Sequence, residues 1–167
     1  MDYRLVDLTN SDIIPYQAFL TTGLHDHADA FRLSVSDEAG ATFPTHGTAN
    51  SFTIAAIDTA MGNWRGVVSF TRDGDTREKL RHKGLLFRMY VSAESAGKGV
   101  GRALIQTVID RARALPGFEQ INLTVVASNE RAIRLYASFG FLSFSREERA
   151  IKYEGRYFDE LTMAFRL

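Results

Sequence analysis

The chain predicts a mixed α/β (α+β) domain in which helices pack on one twisted sheet. Three observations lead there. Two apolar runs flank the turn-like segment Thr59-Ala60-Met61-Gly62-Asn63, as in an antiparallel hairpin. A nearly continuous apolar run over residues 85–91 precedes an amphipathic helical pattern over 97–114, the succession of a buried strand and its crossover helix. Two final strands surround the turn-like tetrad Tyr153-Glu154-Gly155-Arg156.

In chain order, residues 3–7 alternate polar and apolar side chains and read as a short strand. Thr9, Asn10 and Ser11 offer N-caps for a helix reaching about Thr22, with Phe19 and Leu20 among its apolar residues. A second helix is expected over 27–37. Residues 38–50, rich in Gly, Thr, Pro and Ala, form the most loop-like part of the N-terminal half. Strands follow at 52–58 and 64–71, then a charged, solvated connection over 72–83. Arg88 is the one charge inside the central strand 85–91. Such a charge is paired or faces a ligand, and an internal carboxylate or an acidic substrate group would each serve. In the helix over 97–114, Val100, Leu104, Val108, Ala112 and Leu115 recur at helical spacing, while Arg102, Gln106, Asp110 and Arg113 lie on other faces. Pro116-Gly117 ends it. Residues 121–126 make the next strand and 129–138 a short helix, with Ala132, Leu135, Tyr136 and Phe139 on one side and Gly140 at its end. The last strands run over about 141–150 and 158–167.

A length of 167 residues suits one domain spanning 1–167. Twenty basic residues balance twenty acidic ones, so no basic excess points to nucleic acid or a membrane surface. The absence of cysteine excludes disulfides, thiolate metal sites and a cysteine nucleophile. His25, His27, His46 and His82 form no convincing ligand set, and no metal is expected. The first residues lack the apolar core of a signal peptide and no run is long enough to span a membrane, so a cytoplasmic location is expected.

The most informative stretch is Tyr90-Val91-Ser92-Ala93-Glu94-Ser95-Ala96-Gly97-Lys98-Gly99-Val100-Gly101-Arg102, where a strand feeds a glycine-rich turn that opens into a helix. The first N–H groups of a helix lack internal partners and carry the positive end of its dipole. Gly97, Gly99 and Gly101 remove the side chains that would hold a phosphate away from them. A P-loop needs Ser or Thr after Gly-Lys, but Gly99 follows Lys98. A dinucleotide fingerprint needs a third glycine where Arg102 stands, and an acidic residue after the next strand, which ends at Val126 without one.

This run resembles the acetyl-coenzyme A signature of the GCN5-related N-acetyltransferase (GNAT) superfamily, Arg/Gln-x-x-Gly-x-Gly/Ala after a strand. Gly99 and Gly101 match its small positions and Gly97 the glycine that commonly precedes them. Ala96 departs from it, which removes one side-chain contribution and leaves the main-chain donors. A second segment, from Asn129 through Ala132, Leu135 and Tyr136 to Gly140-Phe141, matches every named position of the family's Asn-x-x-Ala-x-x-Leu-Tyr-x-x-x-Gly-Phe. Read independently, Asn129 can cap a helix or bond a ligand amide, and Tyr136, two turns on, carries a weakly acidic hydroxyl. The last hairpin also resembles that of many members.

The resemblance implies a mostly antiparallel sheet whose central parallel pair splays around acetyl-CoA, and direct transfer of acetyl to an amine in a ternary complex. Main-chain groups near Met89, Tyr90 and Val91 would hold the pantetheine arm. Ala96, Gly97, Lys98, Gly99, Val100, Gly101 and Arg102 would hold the diphosphate. Asn129 and Tyr136 would lie beside the cofactor, with Tyr136 as acid toward the thiolate. The acceptor would be a small-molecule or peptide amine, bound by the N-terminal helices, the 38–50 loop and the last hairpin. A homodimer through the terminal strands is compatible. A coenzyme A-binding sensor without catalysis is the alternative. Glu147, Glu148, Asp159, Glu160 and His82 are the candidate bases, each expected as a solvated surface residue, with a water chain in the same role.

Overall fold

The computed structural model describes residues 2–74 and 77–167. Among these residues the strands are β1 (Tyr3–Leu8), β2 (Ser51–Asp58), β3 (Trp64–Arg72), β4 (Lys83–Val91), β5 (Gln120–Val126), β6 (Leu142–Tyr153) and β7 (Arg156–Arg166). The α-helices are α1 (Ile13–Asp26), α2 (Val35–Ala39), α3 (Val100–Arg113) and α4 (Glu130–Ala137). The strands form one sheet in the order β1-β2-β3-β4-β5-β7-β6. Every neighbouring pair is antiparallel except β4 and β5, which run parallel. The charged connection before β4 includes Asp75 and Thr76, which lie outside the described residues.

Helices cover both faces, because strand alternation sends apolar side chains to both. On one face Phe52, Ile54, Val68, Phe70 and Leu86 meet the buried stripe of α3, Val100, Leu104, Ile105, Val108, Ile109 and Ala112. On the other, Ala55, Val67 and Tyr90 pack against Tyr16, Leu20 and Leu24 of α1. Fully burying each such aliphatic side chain is worth roughly 1.5–3 kcal/mol, so both helices are held by packing.

The structure corrects the helix expected over 27–37. Ala28–Ala30 form one 3-10 turn, Phe31 is extended, and α2 starts only at Val35. A capping box fixes that start: the Asp37 N–H donates to Ser34 Oγ (3.2 Å) and the Ser34 N–H to Asp37 Oδ2 (2.8 Å). Gln17 of α1 then donates to the carbonyls of Glu38 and Ala41, both at 3.0 Å, and ties α2 down. The final hairpin is tighter than expected, with Glu154 and Gly155 both at positive φ (47° and 76°), the geometry of a two-residue turn.

Two features shape the sheet's centre. β4 and β5 pair only at Lys83–Gln120, Gly84–Ile121 and Leu85–Asn122, then diverge. Just beyond, Val67 pairs with Tyr90 and Ser69 with Phe87, so Arg88 and Met89 together oppose Val68. This is a β-bulge, and Arg88 sits in it at φ 49°.

Candidate active site

The glycine turn lies at the mouth of the gap between β4 and β5. After a 3-10 turn over Ala93–Ser95, Gly97 (φ 76°) and Gly99 (φ 84°) adopt left-handed backbone, and Gly99 is the N-cap of α3. The Lys98 N–H turns back to the Ser95 carbonyl (3.2 Å), and Ala103 donates to the Gly99 carbonyl (3.0 Å). The first N–H groups of α3 are thus left with the positive end of the helix dipole. A Cβ placed on Gly97 or Gly99 would meet nothing within 4 Å, so the space over the turn is open. Gly101, the second residue of α3, likewise has an amide without an intrahelical partner and lines the space that opens from the turn. It lies inside the helix, where a Cβ would come to 3.2 Å from Leu135 and 3.3 Å from Met89, and its bareness lets α4 and β4 close on α3.

A cavity of about 490 Å³ opens from this turn. Met89, Tyr90, Val91, Ala96, Gly97, Gly99, Gly101, Arg102, Asn129 and Tyr136 line it. Lys98 and Val100 do not: Lys98 is exposed, and Val100 is buried in the core and offers its main chain alone. Sequence reasoning missed His27, Ala30 and Phe31 on the opposite wall, in the segment expected as helix. It also left out Arg131, although that position follows from the helical spacing of α4.

The main chain of β4 beyond the bulge divides between two sides. Ser92 donates to the Arg65 carbonyl (3.0 Å), so by strand alternation Tyr90 turns its main chain to β3, and Met89 and Val91 turn theirs to the gap. Asn129 is the N-cap of α4; its Oδ1 accepts from the Ala132 N–H (3.2 Å), which leaves the side-chain NH₂ to face the cavity. Tyr136 is buried, and among the described residues its hydroxyl donates to the Met89 sulfur alone, at 3.6 Å, a weak acceptor. Burial pushes the hydroxyl well above the ordinary tyrosine range, so it is a neutral donor across the working pH range. Arg102 is drawn toward α4, donating to Ser138 Oγ (2.8 Å) and lying 4.7 Å from the Phe139 ring centre.

A second cavity of about 510 Å³ continues through the gap, sharing Phe31, Met89, Asn129, Ala132 and Tyr136 with the first and adding Arg32, Arg88 and Thr124 to Val126. A cleft of about 540 Å³ between segment 31–37 and Ile151 to Tyr153 shares Phe31, Arg32 and Leu33 with it. These spaces lie side by side from the glycine turn to the last hairpin, with Phe31 lining all three.

Two buried carboxylates are paired with arginines that line the second cavity. Arg88 donates to Glu38 Oε2 at 2.6 Å, which answers the partner question for the charge in β4; Glu38 is fully buried and its Oε1 has no donor. Glu160 on β7 is 4% exposed, which corrects the expectation of a solvated residue. Arg32 Nε stands 2.9 Å from Glu160 Oε2, an ion-pair distance without hydrogen-bond direction, so that buried oxygen has a charge beside it and no donor aimed at it. Burial raises the Glu160 carboxyl above its usual range, Arg32 opposes this and Glu147 adds to it.

The other candidate bases are placed elsewhere. Asp159 accepts from the Arg149 N–H (2.9 Å) and from Arg146 Nε (3.0 Å), contacts that hold it below the usual carboxylate range and pin the bulge in β6. Glu147 and Glu148 are exposed. His82 precedes β4 at the paired end, seven residues from Met89, or roughly 23 Å along the strand.

Known proteins resemble this chain in sequence and in fold. A Vibrio cholerae protein named spermidine N(1)-acetyltransferase is 30% identical over 78 residues, 47% of this chain and 45% of that protein. The chain thus spans less than half the length of the curated relatives it matches. A GCN5-related N-acetyltransferase structure from Kribbella flavida superposes with a TM-score of 0.81 at 24% identity, covering 99% of this chain and 98% of that one. A Salmonella typhimurium structure described with its cofactor acetyl-CoA gives 0.77 at 19% identity, covering 99% and 94%. No helix among the described residues is long and apolar enough to cross a membrane. The acetyltransferase (GNAT) family matches residues 19–141, some three quarters of the chain, and the chain belongs to that family.

Proposed function

We propose that this chain moves an acetyl group from acetyl-CoA to a primary amine of a small molecule or peptide, by direct attack in a complex holding both. The carrying observation is the open passage from the bare turn at the start of α3 to the buried hydroxyl of Tyr136. The residues present fit the group. Gly97 and Gly99 leave room for a diphosphate against the first amides of α3, and the main chain of Met89 and Val91 offers an unpaired strand edge to an amide-bearing arm. When bound, acetyl-CoA supplies a thioester: the amine nitrogen forms the N–C bond as the C–S bond breaks, and the proton leaving nitrogen ends on sulfur. Tyr136 donates its hydroxyl hydrogen bond to the sulfur position, where its weak Met89 contact is readily exchanged. An N–H near the bulge polarises the acyl carbonyl. The amine acceptor is supported by the name of the Vibrio cholerae relative.

The test is thiol release from acetyl-CoA across an amine panel. Wild type is expected to turn over at least one amine, and Tyr136→Phe to lower kcat about 100-fold with acetyl-CoA binding retained. Binding without turnover on any amine would favour the sensor reading, which Ala96 in place of Arg or Gln recommends.

A further inference from the structure

We propose that Glu160 binds the ammonium of the acceptor and takes its proton, and that Arg32 is a place-holding cation which the acceptor displaces. This rests on the N-acetyltransferase reading and assigns the base and the acceptor contact within it.

Position comes first. Glu160 pairs with Val126, the last residue of β5, and directly opposed residues project to one face. Val126 and Arg32, the two residues set against Glu160, both line the second cavity with Tyr136 and Met89, so the carboxylate stands behind that stretch of wall. Arg32 belongs both to that cavity and to the cleft under the last hairpin. A cation in either space would meet Arg32 and, with Arg32 moved aside, the Glu160 carboxylate it pairs with.

The second observation is how poorly this carboxylate is satisfied. A buried carboxylate usually takes several well-directed hydrogen bonds. Here Oε2 is buried without one, and its counter-ion, Arg32, is itself 62% exposed. Glu38 is different, because Arg88 donates to it directly at 2.6 Å and ties that group to the bulge. The charged groups facing Glu160 are Arg32 from the segment before α2 and Glu147, its opposite number on β6; β5 presents the uncharged Val126. Two carboxylates side by side hold a local negative charge that one exposed guanidinium covers. Burial and Glu147 raise the Glu160 carboxyl toward the range of a useful base.

The chemistry requires such a group for strongly basic amines. At pH 7 a lysine-type amine is free in roughly one molecule in several thousand, whereas an α-amine is free in roughly one in ten. In the proposed step one ammonium N–H proton passes to a Glu160 oxygen, giving a neutral amine and a carboxylic acid. After the amide leaves, that proton passes to water and Arg32 returns to the carboxylate.

The experiment compares wild type, Glu160→Gln and Arg32→Gln with propylamine, strongly basic, and trifluoroethylamine, weakly basic, from pH 7 to 9. Calorimetry follows acetyl-CoA and propylamine binding. Glu160→Gln is expected to lower kcat/KM for propylamine about 100-fold at pH 7 and for trifluoroethylamine less than fivefold. The residual propylamine rate should climb almost tenfold per pH unit, and propylamine should bind at least tenfold more weakly with acetyl-CoA affinity within twofold. Arg32→Gln should lower KM for propylamine, and it keeps the idea testable if the first variant folds poorly. Equal losses on both amines, an unchanged pH profile, or a KM that rises several-fold in Arg32→Gln would overturn the assignment. A wild-type protein that binds acetyl-CoA and acetylates neither these two nor any other amine of the panel would overturn the parent reading, and this one with it.

Discussion

Replacing Gly99 by Val separates the strain of the turn from its role in binding. Gly99 sits at φ 84° with nothing within 4 Å of a Cβ placed on it, so the new Cβ clashes with no protein atom. Its structural cost is that of an L side chain in left-handed backbone, about 1–2 kcal/mol. In a chain of this length that lowers Tm by roughly 2–8 °C. The added branches project into the space over the first amides of α3. If a diphosphate occupies that space, two charge-assisted hydrogen bonds of about 1.5–3 kcal/mol each are lost or lengthened. Even the lower part of that range gives a drop in acetyl-CoA affinity of about 100-fold or more. Gly62→Val is the matched control, because Gly62 has φ 72° and equally open surroundings in the β2–β3 loop, away from the site. Thermal melts should show similar losses for both variants, and calorimetry should show weakened acetyl-CoA binding in Gly99→Val alone. Affinity within twofold of wild type in a folded Gly99→Val protein would refute the idea that the diphosphate rests on this turn.

Two further outcomes concern the frame around the site. Arg88→Ala leaves the fully buried Glu38 without its partner and should cost about 3–5 kcal/mol, a Tm loss on the order of 10 °C, whereas Arg88→Leu with Glu38→Leu should recover most of it; thermal denaturation of the single and double variants checks this. Asp58 is held down to about 2, first by Arg65 and then by the Met61 N–H, so its contribution is present above the unfolded value near 3.8 and disappears as pH falls through about 2. The Tm of wild type should therefore fall more steeply between pH 4 and 2 than that of Asp58→Asn, and parallel curves would contradict this.

Much of this was legible in the sequence because the elements around the glycine turn obey simple periods. The stripe from Val100 to Ala112 fixed α3, and the series Asn129, Ala132, Tyr136 fixed both the cap and the cavity-facing side of α4. What failed depends on contacts between residues distant in sequence. The 27–37 stretch has helical composition, but Phe31 is extended and the Ser34–Asp37 capping box starts a new helix. That break puts Phe31 and Arg32 on the cavity walls. Glu160 reads like its acidic neighbours in sequence. Its burial arises from pairing with Val126 on β5 and lying under Arg32, which no local pattern encodes. Asp159 likewise looks like a base until the Arg149 N–H and the Arg146 side chain are seen to occupy it.

The irregularities of this sheet gather near one end of its centre. β4 and β5 run parallel for only three pairs although each has seven or more residues, so several main-chain groups that could bond each other do not. A buried unpaired amide costs about 1–3 kcal/mol, and Arg88 at φ 49° adds about 1–2 more. Continuous pairing would remove both costs, yet the Arg88–Glu38 ion pair holds the bulge that accompanies the divergence. A buried ion pair is weak evidence for stability and better suited to specifying one backbone path over another. The bulge in β6, held by Asp159 immediately before Glu160, is a second such departure. Departures from regular pairing that are each held in place by a buried or charged group mark the part of the fold arranged for a ligand. An extended, amide-bearing arm lying along Met89 and Val91 would supply the partners that β5 withholds.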